Sequence, residues 1–493
     1  MRSQLEIVDG VRREVAPRIE RAHKAEFGQF LTPSAVANFM VSLFPISSSK
    51  VCRLLDAGAG VGTLSCAFLD RWTTRGEGFD LVEVTAYEID DNLRGHLARH
   101  LAGYPGVTPR IIAGDYIELA TAGDLFTMSQ AQGYSHVILN PPYKKINSRS
   151  THRRALRRVG IETVNLYSAF VALAVIEAAP GGQIVAIIPR SFCNGPYYRP
   201  FLDFILERAA IHHMHLFESR SKAFKDDDVL QENIIIRLER GGRQGPVTIS
   251  TSTDDSFSDL TTHEHPFDRI VFPDDPERFI HVPITTKRST IELLPAVRYS
   301  LADIGVKVST GPVVDFRLKA HLRGAPEPGT VPLIYPGHLS ITGTVWPIPG
   351  LKKPNAIMRN NETEKWLYPN GFYCVVRRFS SKEEKRRVMA SVVDPAIFGN
   401  YSSLGFENHM NLFHENKHGL PEALARGLTV FLNTTAVDEH FRRFSGHTQV
   451  NAADLKLMKY PSRDTLIQLG AWAMQQGALT QDQIDAKLET LTV

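Results

Sequence analysis

Asn140-Pro141-Pro142-Tyr143 closes the apolar run Val137-Ile138-Leu139, and these four residue types together can do chemistry. The run reads as a buried strand. Two prolines forbid its continuation, so the tetrapeptide sits at the strand's carboxyl end. In an open α/β sheet that edge is where ligands bind. Pro141 has a fixed φ and no N–H, so the loop can hold carbonyls toward a ligand instead of into a ladder. Asn140 adds a side-chain acceptor and Tyr143 a flat aromatic face. Two acceptors beside an aromatic plate suit a planar base that carries an exocyclic amine. Taken alone, the motif also fits a proline-terminated strand and an ordinary surface turn.

Three further strands upstream end in polar groups. The first, Val51–Leu55, ends at Asp56 and leads into Gly58, Gly60 and Gly62, whose spacing permits a tight turn and close approach to a cofactor. The pattern differs from the dinucleotide fingerprint, and an acid precedes the first glycine. A carboxylate there repels a pyrophosphate but suits a cofactor with a cationic amino-acid end, as S-adenosylmethionine has. A generic βα turn is the alternative. The second strand, Glu83–Tyr87, ends in Glu88, placed to accept from ribose hydroxyls, while Asp90 is expected to cap the next helix. The third, Arg110–Ala113, ends in Gly114-Asp115-Tyr116, where an acid can accept from an adenine amine and an aromatic can pack on the ring. Each signal is weak singly, and their convergence on one sheet edge is the argument.

These strands need helices around them. Residues 4–26 read as an amphipathic helix, and Thr32 or Ser34 as the cap of a helix from Ala35 to Phe44. An apolar helix over 165–178 packs on the sheet, and 184–189, 213–217 and 233–238 are further strands. The 493 residues exceed one ordinary core, so two or three domains are expected. We place a catalytic domain at 1–240, a junction rich in Gly, Ser, Thr, Asp and Pro at 241–288, and a second domain of short strands and turns at 289–493. Thr480 and Gln483 form a capping box in its terminal helices.

With 43% hydrophobic and 22% charged residues the chain is globular, and a net charge of +3 means any nucleic-acid surface must come from local clustering. Lys144–Arg158 holds seven Lys/Arg and no acid. We expect Lys144, Lys145, Arg153, Arg154, Arg157 and Arg158 on phosphates, against the alternative of a solvated helix face. Residues 351–387 hold ten basic and four acidic residues interleaved with aromatics, which is either a second DNA-contacting stretch or surface charge over core aromatics. Four scattered cysteines argue against zinc and disulfides. With no leader and no apolar run long enough to span a bilayer, the expectation is a cytoplasmic protein without a membrane partner.

The order of these motifs resembles that of the γ-class N6-adenine DNA methyltransferases of the TaqI type. The resemblance implies an α/β, Rossmann-like S-adenosylmethionine-dependent methyltransferase domain and a C-terminal mixed α+β target-recognition domain. It implicates Phe30 and Thr32 in GQFLTP, and Asp56, Ala57, Gly58 and Gly60 in LDAGAGVGT, in binding the cofactor. Glu88 falls at the ribose acid, and Asp115 with Tyr116 at the adenine pocket. Asn140, Pro141 and Tyr143 fall at the catalytic motif. Phe224, with Phe217 as competitor, resembles the aromatic that joins Tyr143 in stacking on a flipped base. VSTGPVVDFR at 308–317 and SGHTQVNAADLK at 445–456 are similar to modification enzymes of the PstI/BsuBI kind. Arg377 and Arg378 are then candidates to read bases.

The resemblance implies double-stranded DNA as partner, a monomer, and a cognate restriction endonuclease encoded separately, since no nuclease array is apparent. No metal is expected. Competing readings are methylation of an RNA adenine or of a protein glutamine amide on the same motif, and a DNA-binding protein with a vestigial cofactor fold.

Overall fold

The computed structural model describes residues 4–16, 31–75, 78–122, 133–194, 197–218, 232–273, 275, 278–283, 291, 294–340, 343–380, 384–444 and 449–490. Phe30 and Phe224 lie outside these. Two units make up the chain, Met1–Thr286 and Lys287–Val493.

The first unit is built on nine strands: β1 Val51–Ala57, β2 Leu81–Glu88, β3 Val107–Ala113, β4 Tyr134–Leu139, β5 Ala178–Pro189, β6 Ala209–Phe217, β7 Asn233–Arg240, β8 Val247–Ser252 and β9 Thr261–His265. They lie in the order β3-β2-β1-β4-β5-β7-β6-β8-β9. β3, β2, β1, β4 and β5 are mutually parallel, and β7 runs antiparallel to both its neighbours. The apolar runs read from sequence are the buried centres of these strands; Leu54, Leu55, Val137, Ile138 and Leu139 are all fully buried. The register aligns Asp56 with Ala86 and Ile138, and Glu88 with Ala113. The glycine turn, Glu88, Asp115 and Asn140 therefore leave adjacent strands in one row, around the switch point between β1 and β4.

Helices cover the faces: α1 Gln4–Val15, α2 Ser34–Ser42, α3 Thr63–Arg75, α4 Asp91–Leu101, α5 Tyr116–Ala122, α6 Thr151–Arg158, α7 Leu166–Glu177 and α8 Arg199–Arg208. The helix expected over 4–26 is described to Val15. Asp90 caps α4 as expected, accepting from the N–H groups of Asn92 and Leu93. Neither Thr32 nor Ser34 caps α2; Pro33 holds the N-cap position without a side-chain bond.

The junction expected at 241–288 is a correction. β8 and β9 belong to the sheet, and the first unit extends to Thr286. The composition misleads because Ser250, Thr251 and Ser252 are buried and their hydroxyls are paired. Ser250 Oγ meets His213 Nε2 at 2.7 Å and His215 Nδ1 at 2.9 Å, and Thr251 Oγ1 meets Thr261 Oγ1 at 2.8 Å. Satisfied hydroxyls are compatible with a sheet interior.

Among the described residues of the second unit, Lys307–Thr310, Met410–His414, Tyr373–Arg377 and Ala390–Val393 form an antiparallel sheet, and a separately hydrogen-bonded five-stranded sheet shares a core with it through Ile334, Leu404, Phe406, Tyr373 and Leu412. Helices Glu422–Leu432 and Arg463–Met474 cross at Gly427 and Gly470, where a Cβ would fall 1.8 Å and 1.7 Å from the facing carbonyl oxygens of Leu466 and Ala423. The capping box of Thr480 and Gln483 opens the last helix. Short strands and terminal helices match the mixed α+β expectation.

Candidate active site

At the carboxyl edge of the first unit's sheet lies a cavity of about 390 Å³, lined by Gly58, Gly60, Glu88, Asp115, Tyr116 and Asn140 among others. That volume lies in the range of small-ligand pockets. The glycine turn folds back on β2, with the N–H groups of Gly58 and Ala59 both donating to the Tyr87 carbonyl, at 3.0 and 2.9 Å. Gly60 has φ +57°, and a Cβ there would come within 2.9 Å of Leu31 Cδ2, so only glycine closes this wall without strain.

Glu88 is buried, and backbone amides hold both its oxygens. Gly60 N–H donates to Oε2 at 2.7 Å and Asp90 N–H to Oε1 at 2.8 Å. These bonds fix the Glu88 carboxylate on the cavity wall. Asp115 is held likewise. Oδ1 accepts from Glu118 N–H at 3.0 Å, and His152 Nε2 lies 3.1 Å from Oδ2. Burial pushes the Asp115 carboxyl up, but the His152 and backbone hydrogen bonds outweigh it and hold it below its usual value. Tyr116 presents its ring between Tyr87 and Phe170, with centroids at 5.0 and 4.9 Å, and its hydroxyl donates to Glu177.

Asp56 departs from expectation. It is fully buried and does not line the cavity; its Oδ2 accepts from the Ser65 hydroxyl at 2.6 Å and the Ser65 N–H at 3.2 Å. Burial raises its carboxyl to about 7, against the pull of the Ser65 bonds. Oδ1 has no hydrogen-bond partner. Asp56 thus tethers the first turn of α3. Its neighbour Ala57 is equally buried behind the glycine turn.

Asn140 stands on the cavity wall with its amide fixed on both sides. Nδ2 donates to Thr32 Oγ1 at 3.0 Å, and Oδ1 accepts from the Tyr143 hydroxyl at 3.2 Å. The same hydroxyl lies 3.2 Å from the Ile187 carbonyl. Thr32 is buried and outside the cavity lining; the structure places it against the Asn140 amide. Pro141 is buried, Pro142 lines the cavity, and the half-buried Tyr143 ring meets Tyr167 edge-on at 6.2 Å.

The basic residues divide. Lys144 and Lys145 line the cavity. Arg153 and Arg157 both pair with Glu162, the latter at 2.6 Å. Arg154 and Arg158 are exposed, with no ion pair among the described residues. In the second unit Arg377 has Glu384 3.6 Å away, and Arg378 donates to the Asn408 carbonyl at 3.1 Å while lying over Phe379. Tyr368 and Tyr373 are core residues. The aromatic interleaving of 351–387 is therefore packing in part.

Sequence reasoning missed Leu31, Phe170 and His152 on the cavity wall. The two apolar residues carry no chemical signature, and His152 is masked among arginines. All four cysteines are buried, and burial pushes the thiols of Cys66, Cys193 and Cys374 up to about 12, unsuited to nucleophilic chemistry. Among the described residues no cluster could hold a metal, and no helix is long and apolar enough to cross a membrane.

A parallel sheet reversing at β1/β4, an antiparallel β7 beside β5 and a cavity over the glycine turn define a class I S-adenosylmethionine-dependent methyltransferase fold. Residues 110–224 match the model of the Eco57I restriction-modification methylase family. The chain is 52% identical to the type II methyltransferase M.BsuBI of Bacillus subtilis, over 99% of this chain and 98% of that one. It is 41% identical to the type II methyltransferase M.PstI of Providencia stuartii, over 97% and 95%. The chain belongs to this family of type II methyltransferases of restriction-modification systems. In fold it is similar to the DrdV chain of a DrdV–DNA complex, with a TM-score of 0.53 at 12% identity, covering 96% of this chain and 59% of that one.

Proposed function

We propose that this enzyme methylates N6 of an adenine flipped out of duplex DNA at one short sequence, as the modification half of a system whose endonuclease is a separate protein. The observation that carries the reading is the Asn140 amide. It stands on the same cavity wall as Gly58, Glu88 and Asp115, with its oxygen held by Tyr143. The amine lone pair of adenine is delocalised into the ring, which makes it a poor nucleophile. Asn140 Oδ1 and the Pro141 carbonyl are assigned as the acceptors of the two amine hydrogens. Pyramidalisation then frees the lone pair, a contribution of positioning and electrostatics with no covalent enzyme intermediate.

The residues fit S-adenosylmethionine. Glu88, on the cavity wall, is assigned to ribose hydroxyls and Asp115 to an adenine amine, and Tyr116 with Phe170 forms an apolar wall for a purine. When bound, this cofactor supplies an electrophilic methyl group on a sulfonium. The orphaned Oδ1 of Asp56 stands behind the glycine turn and adds negative charge at that end of the cavity when ionised. Tyr143 supplies stacking for the flipped base, and Phe224 is assigned the same role. Arg154, Arg158 and residues of the second unit, including Arg377, contact DNA, and the second unit selects the target. The protein acts as a monomer in the cytoplasm.

Two near-full-length relatives that are both type II methyltransferases favour DNA over RNA or protein amides. The test is to express this gene alone in a host lacking DNA methylation and sequence its genome for modified bases. N6-methyladenine at a single short motif is expected. N4-methylcytosine there overturns the base assignment, and an unmodified genome overturns the DNA reading.

A further inference from the structure

We infer that His152 couples the cofactor cavity to the basic helix α6, so that cofactor and DNA each tighten the binding of the other through one ion pair. The inference rests on the cofactor and substrate proposed above.

The segment after the catalytic tetrapeptide is clipped at its base, where Ile146 N–H donates to the Val164 carbonyl and Leu166 N–H to the Lys144 carbonyl, each at 2.8 Å. Between these clips the chain makes an excursion that contains α6. The excursion faces two ways. Lys145, Ile146, Asn147, Ser150 and His152 form one wall of the cavity. Arg154 and Arg158, two and six residues after His152, are exposed. The pairs of Arg153 and Arg157 with Glu162 stay within the excursion.

His152 reaches out of the excursion to the sheet edge, placing Nε2 3.1 Å from Asp115 Oδ2 and 4.0 Å from Glu118 Oε1. The Asp115 bond, helped by the Asp115 and Glu118 charges, favours the charged imidazolium against burial and the Lys144 charge. Ala155 and Leu156 are the buried face of α6, so the helix docks as one packed unit. A cofactor gains the contacts of this wall only while α6 is docked. A phosphate backbone bound to Arg154 and Arg158 stabilises the helix that forms the wall. Two ligands favouring one docked state bind with positive, reciprocal coupling. The carboxylate assigned to the adenine end of the cofactor is thus the one that anchors the DNA-contacting helix.

The test measures the Kd of S-adenosylhomocysteine for the full-length protein by calorimetry, with and without a saturating non-cognate duplex. The wild-type protein should bind it about 5-fold or more tightly in the presence of DNA, near the lower bound of typical couplings. In His152→Ala this ratio should fall to about 1, and His152→Gln, which keeps a donor without the charge, should fall between. A variant-free measurement accompanies it: amide exchange across 147–158 should slow when S-adenosylhomocysteine is added to the wild-type protein. An unchanged ratio in His152→Ala overturns the inference, as does exchange indifferent to the ligand or a wild-type ratio of 1. Failure of the wild-type protein to bind S-adenosylhomocysteine at all instead overturns the cofactor reading beneath it.

Discussion

Asn140 spends its amide nitrogen on Thr32 and shares its oxygen with Tyr143, and this arrangement divides the labour at the site. Asn140→Ala removes an acceptor aimed at the amine and should reduce kcat by about 10²–10³, with cofactor Kd nearly intact; near-normal turnover would remove Asn140 from the mechanism. Thr32→Val keeps the volume and loses the acceptor, so the amide nitrogen loses the hydrogen bond to Thr32 that helps orient it. It should lower kcat with little change in cofactor Kd, and Thr32→Ser should restore it. A raised Kd with unchanged kcat would return Thr32 to the cofactor-binding role that sequence implies. Asp56 makes a different prediction, for stability. Its folded carboxyl titrates at about 7 against a usual 3.8, so between those values the folded state holds a proton that the unfolded state has released. Stability therefore falls as pH rises through this window, with an upper bound of roughly 4 kcal/mol once both states are ionised. Asp56→Asn should flatten that part of the curve in urea denaturation across pH 4–8. A slope equal to that of wild type would show that Asp56 is not its source.

At the scale of elements, the acids at strand ends were legible because each lies one or two steps beyond a strand-like run. Thr32, 108 positions from the amide it holds, was not, since nothing local distinguishes an orienting hydroxyl from a cap. Charge runs read less well than strands. All seven cations of Lys144–Arg158 look alike in sequence, yet Glu162 folds back to pair with both Arg153 and Arg157, offsetting one of their two charges. Replacing Arg154 and Arg158 by Ala should therefore reduce the slope of log K against log salt for duplex binding by about 0.9 per lost phosphate contact. Replacing Arg153 and Arg157 should change that slope less, because Glu162 already offsets one of their two charges. Equal effects from the two pairs would mean that Glu162 releases its partners on DNA and that the whole run contacts phosphate.

At the scale of the molecule, the division of the chain follows hydrogen-bonded pairing more closely than composition. A boundary at 240 looks natural, because the following hydroxyl- and turn-rich stretch lacks the apolar runs of the earlier strands. The sheet nevertheless continues. β8 pairs with β6 from His213↔Thr248 to Phe217↔Ser252, and Val247 and Ile249 are buried. Ending the chain at 240 strips a partner strand from β6 and leaves His215, fully buried beside Ser250 and Ser252, without its hydrogen bonds; unsatisfied buried groups cost about 1–3 kcal/mol each. An exposed β6 is also a template for aggregation. Residues 1–286 should therefore give a soluble, cooperatively unfolding protein that binds S-adenosylhomocysteine, whereas 1–240 should be insoluble or molten. The longer fragment should methylate duplexes without preference among single-base variants of the cognate site, because phosphate contacts carry no base information. Comparing the two fragments by calorimetry and circular dichroism, and 1–286 with the full chain on cognate and variant duplexes, decides both points. A well-folded 1–240 would show β8 and β9 to be dispensable, and site selectivity retained by 1–286 would place target choice in the first unit.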